Sequence, residues 1–166
     1  AATQIISVNA LLGILGTVLS GLFSDLLFKG NRNIPALIFG VMLSLSLALF
    51  LFGGDGLFVN GLSMVLFGIA IGVLICFLGG LMAVDIVPRQ ASGAALGVVG
   101  IASYIAAGVQ EILSGVLIDS RSTELDGVIH YDFSAAAYFW LGASVISFLL
   151  PILNWRKKTV RAPRGE

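Results

Sequence analysis

The chain has 166 residues, of which 58% are apolar and 11% are charged, and its mean hydropathy is +1.04. In soluble domains about a quarter of the residues are charged, so this composition excludes an ordinary soluble protein and indicates a membrane protein. Nine basic and nine acidic residues give a net charge of zero, which excludes the overall basic charge typical of nucleic-acid-binding proteins. The single cysteine, Cys76, excludes an intramolecular disulfide.

Charged residues divide the chain into five long apolar segments. Each reaches the roughly 20 residues with which a helix crosses a membrane, and a helix pairs its backbone polar groups within the segment, as lipid requires. The segments lack the alternating polar residues of a membrane β-barrel. We therefore predict an all-α polytopic membrane protein, with a partial transmembrane domain over 1–155 and a basic cytoplasmic tail over 156–166. The predicted spans are about 3–24, 34–53, 58–84, 91–118 and 133–154.

The charges between the predicted spans are sorted by sign. Eight of the nine basic residues fall in the loops 25–32 and 85–89 and in the tail, whereas the loop 119–132 carries four acidic residues around Arg121. Cytoplasmic loops of membrane proteins are enriched in Lys and Arg. We therefore predict a multi-pass protein of the inner (plasma) membrane, with the N-terminus of this segment outside and its C-terminus in the cytoplasm. Trp140, near one end of the last span, is interpreted as an interfacial anchor.

Five spans that begin outside, in a chain without an initiator Met, are expected to be part of a larger protein. A transporter made of two six-helix halves needs at least about 240 residues in its spans alone, so this chain would supply less than half of one. A genuine five-span protein is the alternative.

The loop after the first span has a specific pattern. Residues 21–33 read Gly-Leu-Phe-Ser-Asp-Leu-Leu-Phe-Lys-Gly-Asn-Arg-Asn. A glycine, an aspartate four residues later and a basic turn containing glycine resemble the cytoplasmic loop signature of the major facilitator superfamily. The fuller pattern Ser-Asp-x-x-Phe-x-Gly-Asn-Arg resembles its organophosphate:phosphate antiporter branch, which includes glycerol-3-phosphate and hexose-6-phosphate transporters. The loop-motif residues are Gly21, Asp25, Lys29, Gly30, Asn31 and Arg32, with Arg89 in the second matching segment.

That second segment covers residues 85–100, begins Asp-Ile-Val-Pro-Arg and is followed by Tyr104. It is similar to the entry into the eleventh helix of the same branch. The two segments lie in the expected order with two spans between them, so the resemblance covers essentially the whole chain. It implies that the five spans are helices eight to twelve of a major facilitator fold.

The chemistry of the loop motif supports two interpretations. Gly21 is expected to let a neighbouring helix approach closely, and Asp25 ends the apolar segment with a carboxylate. Lys29 and Arg32 lie just beyond a helix C-terminus, where the helix dipole favours cations. The motif is either a cytoplasmic latch that breaks and reforms as two halves move, or an anchor for the topology.

The fourth span carries the candidate site. Tyr104, Gly108, Glu111 and Gly115 recur at intervals of four, three and four residues, which places them on one face of a helix. Glu111 is the only Asp, Glu, Lys or Arg inside a predicted span. An ionised carboxylate is costly in lipid, so Glu111 either faces a water-filled cavity or a partner, or is a structural carboxylate near the outer end of the helix.

Small residues also recur in this span. Gly93, Gly97 and Gly100 lie at helical spacings, and Gly93 and Gly97 match a known helix-packing pattern. We expect ordinary close packing against neighbouring helices to explain most of them.

The resemblance implies that Tyr104 faces the central substrate cavity of a transporter. Together with Gly108, Gln110 and Glu111 it forms the candidate cavity set, in which Gln110 either pairs with polar groups or bonds a neighbouring helix. The chain departs from the glycerol-phosphate pattern at Val73, where that pattern has a cavity tyrosine, so the cavity is altered. No predicted span contains Lys or Arg, and the family's cavity arginines lie on helices outside this chain.

The sequence therefore predicts a transporter segment that exchanges a phosphorylated metabolite, a sugar phosphate or a glycerol phosphate, for inorganic phosphate by alternating access. A transporter-like sensor of sugar phosphate and a non-transporting multi-span assembly protein are the alternatives. The chain lacks a catalytic triad, a phosphate-binding loop and a metal-ligand cluster, so we expect neither an enzyme nor a cofactor. The expected partners are the phosphorylated substrate, inorganic phosphate, the lipid bilayer and the amino-terminal half of the same transporter, with no nucleic acid.

Overall fold

The computed structural model describes residues 11–18, 20–21, 33–54, 56–125 and 127–153, without the side chains of Leu150, Pro151 and Leu153. The loop-motif residues Asp25, Lys29, Gly30, Asn31 and Arg32 lie outside the described residues, as does the basic tail.

The described chain is mostly helical, which confirms the predicted helical class. Helix α1 covers 11–18 and 20–21, and the helices that follow are α2 (Asn33–Phe52), α3 (Leu57–Cys76), α4 (Met82–Asp85), α5 (Ser92–Asp119) and α6 (Ser134–Leu153). A π-helical turn at Phe77–Leu81 joins α3 to α4, and a 3₁₀ turn at Arg89–Ala91 leads into α5.

Three helical segments of the described chain are long and apolar enough to cross a membrane: Asn33–Phe52, Leu57–Asp85 and Arg89–Asp119. The apolar helical segment Ser134–Leu149 is shorter. These lengths and compositions fit a protein embedded in a membrane.

Helices α2 and α3 form a hairpin with a glycine-rich turn. The Gly53 N–H donates to the Leu49 carbonyl oxygen at 2.8 Å, which ends α2, and Gly54 has a φ of +86°. A Cβ on Gly53 would lie 2.8 Å from Cγ1 of Val59 and would also collide with the Leu49 oxygen. Glycine is therefore required at both positions, once for space and once for backbone conformation.

Helix α2 packs against both α3 and α6 through small side chains. Ala36, Gly40 and Ser44 are buried on α2. A Cβ on Gly40 would lie 2.7 Å from Cβ of Phe148 on α6, and Ser44 Oγ donates to Ser144 Oγ of α6 at 2.9 Å. Small residues that admit close backbone approach, with hydroxyls bonding between helices, are typical of packing within a membrane.

Helices α1 and α3 approach each other backbone to backbone. A Cβ on Gly72 of α3 would collide with the carbonyl oxygen of Gly13, and one on Gly16 would lie 2.8 Å from the Ile69 oxygen. Thr17 Oγ1 donates to the Gly72 carbonyl at 3.0 Å and to its own helix at Gly13 at 2.9 Å. These contacts tie α1 to α2, α3 and α6. We call the unit formed by these four helices the packed bundle.

Helix α5 lies at the edge of the packed bundle. It contacts α4 and the π-helical turn near its start and α6 near its end. Among its residues, all of which the structure describes, Ser114 alone is buried. Most of the surface of α5 is therefore exposed within this chain.

The connection between α5 and α6 contains a short β-hairpin. Strands β1 (Thr123–Leu125) and β2 (Val128–His130) pair antiparallel, with Leu125 opposite Val128, and Gly127 in the turn has a φ of +77°. Both strands are exposed. The sequence analysis predicts only a loop here, because the strands are three residues long and show no apolar alternation.

Candidate functional site

The predicted face of α5 is built on an unbroken helix. Because α5 is helical from Ser92 to Asp119, Tyr104, Gly108, Glu111 and Gly115 lie along one side of it. The three glycines Gly93, Gly97 and Gly100 fall on the same side, within about 40° of Tyr104 at 100° per residue. The sequence analysis did not connect these two sets. We call the whole set the Tyr–Glu face: Gly93, Gly97, Gly100, Tyr104, Gly108, Glu111 and Gly115.

No described residue packs on the Tyr–Glu face. The Tyr104 side chain is 83% exposed, and Gly108, Gln110 and Glu111 are exposed as well. A Cβ added at any glycine of this face would meet no described atom within 4 Å. The close helix contacts that the sequence analysis predicts for Gly93 and Gly97 are thus not made within the described part of the chain, and the same holds for Gly21.

The flank of α5 that lies about 60–120° around the helix from Tyr104 has a different chemistry. It carries large aliphatic side chains that are also exposed: Val98, Ile101, Ile105, Ile112 and Val116. Helix α5 therefore has one face of small residues with a phenol and a carboxylate, and one face of branched hydrocarbon. A face of the second kind matches lipid tails, whereas a carboxylate needs water or a polar partner.

A hydrogen bond joins the side of α5 to the packed bundle. Trp140 of α6 donates its indole Nε1–H to Ser114 Oγ at 2.7 Å, and the Ser114 side chain is 8% exposed. The sequence analysis interprets Trp140 as an interfacial anchor and does not predict this hydrogen bond. The signal in the sequence is slight: an indole N–H inside an apolar segment needs an acceptor, but nothing in the spacing identifies Ser114, 26 residues earlier.

Val73, the position where the chain departs from the resembled pattern, is not on an exposed surface. It lies on α3 and is 2% exposed. Its neighbour Gly72 contacts the α1 backbone. Val73 thus belongs to the interior of the packed bundle, apart from the Tyr–Glu face.

The two ends of the described helices carry different charged groups. Phe52 and Tyr138 stack with ring centroids 5.3 Å apart, which puts the α2–α3 turn and the β-hairpin at the same end. Asp119, Arg121, Glu124 and Asp132 lie at this end, whereas Arg89, which is exposed, lies at the opposite end beside the α4–α5 turn. Asp85 lies at the same end as Arg89, so each end of the described helices carries one arginine, and the other basic residues behind the predicted orientation lie outside the described residues.

Asp132 fixes the start of α6. Its Oδ1 accepts the backbone N–H of Ser134, the first residue of the helix, at 2.8 Å. Hydrogen bonds from the Ser134 side chain and backbone hold the pKa of Asp132 below its usual value of 3.8. Slight desolvation opposes them, and the charge of Arg121 lowers the pKa by a smaller amount still. The ionised carboxylate is therefore the form that caps α6.

Comparison of the chain with family models, curated proteins and solved structures finds no match. The observed fold and exposed face define a class nonetheless. The chain is a helical protein with several segments suited to a membrane, and one of these segments presents a carboxylate and a phenol on an unpacked face.

Proposed function

We propose that this chain is the carboxy-terminal part of an organophosphate:phosphate antiporter of the major facilitator type. In this proposal the five helical segments are helices eight to twelve, and α5 is the eleventh. The observation that carries the proposal is the Tyr–Glu face: a helix long and apolar enough to span a membrane exposes Tyr104 and Glu111 on a side lined otherwise by glycines. The resemblance of residues 21–33 and 85–100 to that branch supports the same assignment.

The free-energy cost of a charge in lipid indicates which side of α5 faces water. An ionised carboxylate within an apolar helix is costly in lipid, so in this proposal Glu111 faces water or a polar partner. The glycines on either side of it leave room for a solute, because no side chain projects from them. The aliphatic face of α5, with Ile105 and Ile112, is the side suited to lipid or to apolar helices.

In this proposal the groups that bind the substrate come from both halves of the transporter. Phosphate oxygens are best bound by Arg or Lys, and α2, α3, α5 and α6 contain neither. We assign the cations to the amino-terminal half. The Tyr104 hydroxyl supplies a hydrogen bond to phosphate or sugar oxygens, while Glu111 balances the cations and disfavours solutes of the wrong charge. Gln110 lies about 120° from Tyr104 around α5, outside the Tyr–Glu face, so we assign it no contact with the substrate.

A site shared between two halves of the protein suits transport by alternating access. Two helical halves rock about a site near the midplane, so that a phosphorylated metabolite enters on one side and inorganic phosphate returns. The packed bundle moves as one body, because α1, α2, α3 and α6 are joined by backbone contacts and by the bond from Ser44 to Ser144. Arg89 and the loop motif lie on the cytoplasmic side by the positive-inside rule, where the motif acts as a latch between the halves.

Phosphate-driven counterflow tests the proposal. The full-length transporter is reconstituted in liposomes with or without internal phosphate, and labelled glycerol-3-phosphate and glucose-6-phosphate are offered outside in parallel. Uptake of either label that requires internal phosphate supports an antiporter and identifies its substrate class. Saturable binding without uptake would identify a sensor instead. If neither label is bound or taken up, the phosphate-ester assignment is contradicted. Glu111 would then indicate a cationic or proton-coupled substrate.

A further inference from the structure

Helix α5 is held near its start by α4 and the π-helical turn, and near its end by α6. Ser114 is the only buried residue of α5 among those described, and it accepts the Trp140 N–H at 2.7 Å. An indole N–H without an acceptor in an apolar environment costs about 1–3 kcal/mol, so the bond favours one orientation of the two helices.

Trp140 stands on a rigid base. Helix α6 is held against α2 by the bond between Ser44 and Ser144 at 2.9 Å and by the close approach of Phe148 to Gly40. These two contacts lie one and two turns further along α6 than Trp140. The hydrogen bond therefore fixes the rotation of α5 relative to the packed bundle, which is itself held together by these contacts.

The position of Ser114 on α5 links it to the candidate site. On a helical projection Ser114 lies about 80° from Tyr104, and Glu111 precedes Ser114 by a single turn. With Ser114 turned towards α6, the Tyr–Glu face points to one side of α6 into open space. A rotation of α5 by about 30° would move a side-chain atom 6 Å from the helix axis by about 3 Å. Such a displacement is enough to lose a hydrogen bond to a substrate.

We infer that Trp140 is a positioning residue for the substrate cavity: its hydrogen bond to Ser114 sets the rotation of α5 that directs Tyr104 and Glu111 at the substrate. The inference rests on the proposed function and deepens it. Trp140 itself does not contact the substrate in this account.

Thiol labelling of adjacent positions reads the rotation of α5 directly. Gly108→Cys lies on the Tyr–Glu face and Val109→Cys lies about 100° away from it. Both are made in the full-length transporter without other cysteines, including Cys76→Ser, and are treated in proteoliposomes with a membrane-impermeant maleimide. We expect position 108 to react several-fold faster than position 109.

The test compares this ratio across four variants. Trp140→Phe removes the N–H donor and Ser114→Ala removes the acceptor, so each is expected to lower the ratio of reaction rates several-fold. Ser114→Thr keeps a hydroxyl acceptor and is expected to retain the ratio. Ser103→Ala is the matched control, since Ser103 lies on the same side of α5 but bonds the Val99 carbonyl of its own helix at 2.8 Å.

The outcomes separate the inference from the proposed function. An unchanged ratio in well-folded Trp140→Phe and Ser114→Ala proteins overturns the positioning role. Loss of the folded protein in both variants also overturns it, because the bond is then a general stability contact. Protection of position 108 by inorganic phosphate is measured separately. A rotation-dependent ratio without phosphate protection contradicts the proposed function and leaves the positioning role of Trp140 in place.

Discussion

Helices α2 and α5 are both long and apolar, but the chain packs them in opposite ways. On α2, the small residues Ala36, Gly40 and Ser44 are buried against α3 and α6. On α5, the glycines of the Tyr–Glu face meet no described atom, and Ser114 alone is buried. The difference shows that small residues in an apolar helix do not by themselves identify an interface within the same chain.

The polar groups on the two helices differ in the same way. The hydroxyl of Ser44 is paired between helices, so it contributes to packing. Tyr104 and Glu111 are exposed on a helix suited to a membrane, where an exposed carboxylate is costly. We interpret a carboxylate in such a place as part of a functional surface, and this contrast between the packed bundle and the open helix supports our proposal.

The largest expected effect comes from adding a methyl group where backbones touch. Gly72→Ala places a Cβ against the Gly13 carbonyl oxygen, so we expect a destabilisation of about 1–3 kcal/mol or more. The measurement is thermal unfolding in detergent. Gly142→Ala on α6 is the control, because a Cβ there meets no described atom. Equal unfolding temperatures for the two variants would contradict the backbone contact between α1 and α3.

On the open helix, the expected effect is on function rather than stability. Glu111→Gln keeps the size of the side chain and removes its charge, so we expect a several-fold change in the preference between glycerol-3-phosphate and glucose-6-phosphate. Counterflow of the full-length protein measures it. Glu124→Gln on the exposed β-hairpin is the control and is expected to retain the preference. Unchanged preference at normal expression of Glu111→Gln would count against a cavity role for Glu111.

A smaller effect is expected from the hydroxyl pair of the packed bundle. Ser44→Ala removes one partner of the bond to Ser144, and bonds of this kind in membranes contribute about 0.6 kcal/mol on average. A double-mutant cycle with Ser144→Ala, measured by thermal unfolding, isolates the coupling. A coupling of zero would show that the two hydroxyls do not stabilise the contact between α2 and α6.

The smallest expected effect is the pH dependence of the cap on α6. Because folding lowers the pKa of Asp132 below 3.8, its stabilising contribution is complete above that value and is lost as the pH falls through the lowered pKa. Asp132→Ala is therefore expected to lower the unfolding temperature at neutral pH and to lose this difference in more acidic solution. Glu124→Ala is the comparison variant. A difference that persists unchanged at the lowest pH would show that the carboxylate charge does not act in the cap.

The helical fold could be predicted from the sequence because long apolar runs in lipid have few other solutions. Glycine-rich breaks such as Gly53 and Gly54 fall at the helix ends. The β-hairpin could not be predicted, since strands of three residues give almost no periodic signal. The π-helical turn at Phe77–Leu81 could not be predicted either, because it changes the hydrogen-bond spacing without a distinctive residue pattern.

The candidate site was predictable in its local part only. Helical spacing places Tyr104 and Glu111 on one face, and the structure has the continuous helix that this requires. The bond from Trp140 to Ser114 depends on how two helices meet in space, which spacing along the chain does not encode. The packing predicted for Gly93 and Gly97 is not made within the described residues, because a small residue permits an approach without supplying the helix that makes it.

The most direct test of the account is whether the two faces of α5 differ in their access to water. Tyr104 and Ile105 are adjacent and are 83% and 64% exposed within this chain, so exposure here does not distinguish them. Tyr104→Cys and Ile105→Cys, each in the cysteine-free full-length transporter in liposomes, are treated with a membrane-impermeant thiol reagent. The account predicts rapid reaction at position 104, slowed by inorganic phosphate, and little reaction at position 105. Equal reaction at both positions, or no reaction at position 104, would contradict a substrate cavity on the Tyr–Glu face.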